Sequence, residues 1–210
     1  MVIEVNRTSC EGRALAVRRF LVSCLSVLRE RSLFFALINF VYFGAVIVGG
    51  FLAQYTSFFP PPVPGENGVW MVAEVTPLLV LDIFAWNFFL SAFLLLALSG
   101  VVFFVLPFVV IVWRGLIWGF MLNFLSTDRF FAALPTVFLE GEGYVFAALA
   151  GVVLGLSWLW PRLVYPGEGL SRKDALKKAF GEAGRLFVLI GILLFVAAII
   201  EAVSILLLLV

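Results

Sequence analysis

The chain alternates long apolar runs with short polar breaks. Residues 32–54 (SLFFALINFVYFGAVIVGGFLAQ) carry no charge. At ~1.5 Å per residue they are long enough to cross ~30 Å of hydrocarbon as a helix. The run gives way to YTSFFPPPVPGENGVW, whose proline cluster and Gly-Glu-Asn-Gly stretch cannot continue a helix, so 55–75 reads as an external loop. A second apolar block, 76–126, would reach ~76 Å as one helix and must fold back on itself. Gly100 and Pro107 mark the break and predict spans at 77–100 and 105–126. A fourth span is predicted at 133–160, closing on the interfacial anchors Trp158 and Trp160 and on Pro161. In 170–185 (LSRKDALKKAFGEAGR), Leu170, Ala175, Ala179 and Phe180 interleave with Lys and Arg, which predicts a basic amphipathic cytosolic helix at the membrane surface. The fifth span runs over 186–209. Residues 1–31 read as another basic amphipathic helix. The expected fold is all-α, a polytopic bundle of five transmembrane helices with basic interfacial helices.

Composition narrows the alternatives. Of 210 residues, 64% are apolar and 13% charged, against roughly 45–50% and about 25% in an ordinary soluble domain. A water-soluble chain of this size could not hide that much hydrocarbon. With 24 phenylalanines and no Gly-X-Y period, disordered and collagenous chains are excluded too. No secretory signal peptide is expected in 1–31, which lacks a compact apolar stretch followed by a small-residue cleavage site. Cys10 and Cys24 would stand roughly 21 Å apart on a helix, beyond disulfide reach. Histidine is absent, so no imidazole can serve a metal, a triad or a proton relay.

The net charge of +1 conceals a polarised distribution. Arg7, Arg13, Arg18, Arg19, Arg29 and Arg31 precede the first span, and Arg162, Arg172, Lys173, Lys177, Lys178 and Arg185 lie between the fourth and fifth. Arg129 sits alone between the third and fourth, and Arg114 lies inside the third. Five spans with a cytosolic N-terminus put twelve loop cations inside and one outside. The expected location is the cell membrane, with the C-terminus external. In that topology Asn6-Arg7-Thr8 is a sequon by chance.

Charged residues within spans cost about 2.5–3.5 kcal/mol each on insertion scales, so each needs a reason. Asp82 and Asn87 fall in the second span, Arg114 in the third, Glu140 and Glu142 in the fourth, and Glu201 in the fifth. Counting from the span ends puts Asp82, Glu140 and Glu201 ~9–14 Å below the outer edge, with Arg114 nearer the midplane. Two readings of this polar cluster stand. It clamps helices together through an ion pair and protonated acids, or it lines a cavity for a proton, a cation or a polar headgroup. One arginine facing three or four acids leaves surplus negative charge to be protonated or matched by a cation. A metal, if bound, would take Glu140 and Glu201. Pro135, Gly141 and Gly143 predict a helix break beside Glu140, to be buried in protein or to line a cavity. Gly115-x-x-x-Gly119 and Gly151-x-x-x-Gly155 offer close helix packing, within the bundle or across a homodimer.

The run LPTVFLEGEGYVFAALAGVVLG, with Pro135, Glu140, Gly151 and Gly155, resembles the stage II sporulation protein M family, whose members carry a span proline, a glutamate five residues later and glycines spaced by four. FVAAIIEAV with Glu201 is similar to the family's last span, and Asn87 to an asparagine after its first external loop. Thr136-Val137 stands where members usually have His-Gly, and Arg114-Gly115 where Asn-Gly is common. The resemblance implies a membrane component that, in spore formers, works in an engulfment machine with cell-wall hydrolases. It points to a non-enzymatic scaffold or assembly subunit. The intramembrane carboxylates keep open a permease or channel subunit moving a proton, cation or small polar substrate. No cofactor is expected. Partners are expected among membrane lipid, a second copy of the chain, or a membrane-protein or ATPase subunit, and not nucleic acid.

Overall fold

The computed structural model describes residues 15, 18–20, 22–55 and 77–207, with 205–207 described by backbone alone. Most of the expected N-terminal helix, most of the 55–75 loop, Cys10 and the extreme C-terminus lie outside the described residues. The described residues form helices and no strands. Among the described residues five helices are long and apolar enough to cross a membrane: α1 (Ser32–Tyr55), α2 (Pro77–Val102), α3 (Leu106–Asn123), α4 (Thr127–Leu159) and α5 (Arg172–Leu207). They run up and down in turn, so α1, α3 and α5 end where α2 and α4 begin.

α4 is the centre. Its apolar stretch from Tyr144 to Ser157 is buried at every position but Phe146, because α5, α2, α3 and α1 all pack on it. α1 pairs chiefly with α3, and α5 chiefly with α4. The outer helices leave large apolar side chains such as Phe40, Phe51, Phe89 and Ile192 on the surface, as a lipid-facing shell requires.

Two glycine seams set the closest approaches. Gly115 lies under the Tyr42 carbonyl and Ala45, and Gly119 against Gly49 and Gly50, joining α3 to α1. Gly151 meets Gly100 and the Leu96 carbonyl, and Gly155 meets Phe104, bringing α4 onto the α2–α3 corner. A Cβ at Gly115, Gly119, Gly151 or Gly155 would collide with neighbouring backbone.

Two expectations are corrected. The helix does not break at Pro135, Gly141 or Gly143: α4 is continuous from Thr127 to Leu159. Pro135 takes one N–H out of the helix ladder without ending the helix, and the glycines serve packing, Gly141 accepting the Tyr42 ring and Gly143 the Leu194 side chain. The basic helix at 170–185 is not a separate surface element either. It forms the first turns of α5, a single helix of 36 residues. Ala175, Ala179, Ala183, Leu186, Ile190, Leu194 and Ala198 form one buried stripe at helical spacing, so nothing interrupts the helix at 186. Ser171 caps it, accepting the Asp174 N–H at 3.2 Å and donating to the Asp174 carboxylate at 2.6 Å.

At this basic end the N-terminal helix, described without interruption over 22–30, is pinned to the bundle. Arg31 is buried, donates to the Val164 carbonyl and lies 3.4 Å from Glu182 of α5. The Tyr165 ring is held between the Arg31 guanidinium (4.6 Å) and the Lys178 ammonium (4.5 Å). Burial, then the neighbouring Glu182 charge, raise the Tyr165 phenol above its usual range. Cys24 is buried against the Arg185 carbonyl, and burial raises its thiol pKa despite the Arg185 charge.

Candidate functional site

Arg114 is where three helices meet, α2, α3 and α4. α3 carries it toward α4, and its Nη2 faces Glu140 Oε1 at 3.2 Å, Asn87 Oδ1 at 3.3 Å and Ser91 Oγ at 3.2 Å. The Tyr144 hydroxyl completes the cage, accepting from Arg114 and donating to Glu140, with Asn87 Oδ1 2.9 Å away. The guanidinium also stacks 4.6 Å from the Tyr144 ring centroid. Glu140 is 2% exposed, and an unpaired carboxylate at that depth would be prohibitive, so the arginine and the hydroxyl are what make it tolerable.

Helical spacing explains the supply of partners. Glu140 and Tyr144 stand four residues apart on one face of α4. Asn87 and Ser91 lie in the stretch of α2 from Trp86 to Leu98, which is wound as a π-helix, a rare form that gathers at functional sites. Both are buried there and reach the same guanidinium.

Above this cage opens a cavity of about 430 Å³. Asp82, Asn87, Arg114, Glu140 and Glu201 line it, with Trp86 and Trp118 among its walls. The lining residues run from mid-span, at Arg114 and Glu140, toward the end where α2 starts and α3 and α5 finish, and none lies in the opposite half of the bundle. Glu201 and Asp82 make no hydrogen bond or ion pair with other described residues, unlike Glu140.

The structure thus brings together five of the six polar residues singled out in the spans. Glu142 is the exception and corrects the expected cluster. Two residues beyond Glu140, it is rotated about 200° around α4 and turns to Asn39 of α1. The Tyr42 hydroxyl, buried and without a hydrogen-bond partner among the described residues, lies beside Gly141. Four participants were not read from the sequence: Ser91, Tyr144, Trp86 and Trp118. The i, i+4 pairs Asn87/Ser91 and Glu140/Tyr144 were the available signal for the first two. The tryptophans carried none, since aromatic residues are common throughout these spans. Among the described residues no group of three acidic or thiol side chains is placed to hold a metal ion.

The sequence signature of the stage II sporulation protein M family matches residues 32–204, nearly all of the helical bundle. The chain belongs to this family. No curated protein and no solved structure matches it. In this member of the stage II sporulation protein M family, Arg114-Gly115 does two things at once. Arg114 turns to the α4 carboxylate, while Gly115 lets α1 approach α3 on the other side.

Proposed function

We propose that this protein is a non-enzymatic subunit of a membrane assembly, with its cavity serving as a one-ended binding pocket. It sits in the cell membrane with the basic end cytosolic and the cavity end external. The observation that carries this reading is the sealed bundle below Arg114. There α4 is buried along its length and the Gly100–Gly151 and Gly155–Phe104 contacts close the helices together. A pocket closed in this way suits a group that is held. Family membership supports the assembly role.

A permease reading has one observation in its favour: three carboxylates and one guanidinium line an open cavity, a surplus suited to a transported proton or cation. Reconstituted vesicles separate the two. The assembly reading expects proton and sodium fluxes equal to those of protein-free vesicles, together with a discrete crosslinked complex in native membranes. Protein-dependent flux that disappears in the Glu140→Gln/Glu201→Gln double variant would replace it with the permease reading.

A further inference from the structure

We propose that the cavity binds an alkylammonium group between the indoles of Trp86 and Trp118 and the carboxylates of Asp82 and Glu201. This inference rests on the pocket reading above and names the chemistry of its occupant.

Charge sets the sign. The ionisable groups facing the cavity are Asp82 from α2, Arg114 from α3, Glu140 from α4 and Glu201 from α5. Arg114 and Glu140 satisfy one another at 3.2 Å with the help of Tyr144, Asn87 and Ser91. Asp82 and Glu201 make no hydrogen bond or ion pair among the described residues, so the cavity lining holds more acids than cations, a surplus that a bound cation would match.

Shape and wall chemistry set the kind of cation. A compact metal ion needs several oxygens converging within about 2–2.6 Å, and no such group of side chains exists among the described residues. The two unpaired acids come from different helices, and the walls between them are indole and aliphatic: Trp86, Trp118, Ile83 and Ile117. A hydrated sodium ion gains little from such walls. An alkylated ammonium has a diffuse charge and an apolar skin, and it interacts favourably with indole faces as well as with distant carboxylates. At about 430 Å³ the space falls within the range of small-molecule sites. The same ammonium chemistry is offered by a free amine and by a choline or ethanolamine lipid headgroup.

The test uses the full chain, purified in a maltoside detergent that carries no ammonium group and titrated with tetramethylammonium chloride against sodium chloride of equal ionic strength. Thermal unfolding and tryptophan fluorescence are the readouts. The expected result is a saturable tetramethylammonium response that sodium does not reproduce. It should weaken about tenfold in Glu201→Gln and in Trp86→Leu, a surface-exposed position that folding tolerates, and remain unchanged in Glu142→Gln. Repeating the titration in phosphatidylcholine and phosphatidylglycerol nanodiscs identifies the source. Weaker apparent affinity in the phosphatidylcholine discs assigns the site to a lipid headgroup, and equal affinity assigns it to a free amine. A saturable response to sodium alone would overturn the ammonium assignment and leave the pocket reading standing, and silence to every cation would overturn both. A tetramethylammonium response unaltered by Glu201→Gln and Trp86→Leu would overturn the assignment to this cavity.

Discussion

Arg114 and Glu140 form a charge pair at 3.2 Å, with the Tyr144 hydroxyl bonded to both. Replacing Arg114 with Met leaves a buried carboxylate without its counter-charge, and breaking such a pair typically costs about 3–5 kcal/mol. Unfolding in detergent should show a loss of that order. Tyr144→Phe should cost less, about 1–3 kcal/mol, because only the hydroxyl linking Arg114 to Glu140 is lost. Glu142→Gln should leave the Arg114 cage intact, since Glu142 turns to Asn39. At this scale the sequence was informative about identity and weak on direction. Asp82, Asn87, Arg114, Glu140 and Glu201 stand out because charge and amide are scarce in apolar spans. Which face each occupies depends on helix rotation, and a rotation of about 200° between neighbours two apart was enough to move Glu142 out of the site.

Among the helices, the close glycine contacts carry the sharpest expectations. Gly151→Ala places a Cβ against the backbone of α2, and overpacking of this kind costs roughly 1–3 kcal/mol. Gly44→Ala meets nothing within 4 Å, so it should be neutral or stabilising by up to about 1 kcal/mol through helix propensity. Parallel melts of the two variants check both, and equal effects would contradict the seam. The spans were legible in the sequence because twenty apolar residues in a row have few alternatives in a bilayer. Their continuity was less so. Pro135 and the glycines of α4 look like breaks when read locally, and only the Tyr42 ring and the Leu194 side chain packed against them show why the helix carries on. The same holds for 170–185, whose basic residues suggested a surface helix while its alanines were extending the buried stripe of α5.

For the molecule as a whole, the charged ends carry the consequences. Arg31 was legible only as one of the twelve loop cations expected inside, because its buried contact with Glu182 joins positions 151 residues apart. Glu182→Ala should free the N-terminal helix, with Cys24 as the reporter. In a Cys10→Ser background, maleimide should label Cys24 slowly at pH 8, since its raised pKa keeps the thiol protonated and burial denies access. Labelling should accelerate at least severalfold in the variant, and raising the pH should speed the unaltered protein's reaction as thiolate accumulates. The charge asymmetry also predicts that impermeant reagents reach a C-terminal tag on intact cells. Reaction only after lysis would reverse the orientation.

The burial of α4 has a consequence for how the protein is made. Its most apolar 18-residue window is 78% buried, against 33% or less in each of the other four spans. As the ribosome delivers the chain, α4 enters the membrane before α5 exists, so the face that α5 will cover first meets lipid or an insertion chaperone. A chain stopped after Gly169 should therefore linger at the insertion machinery or be degraded, while addition of α5 should release it as a stable product. Pulse-chase of the two lengths would show whether α5 is the helix that commits the protein to the bilayer.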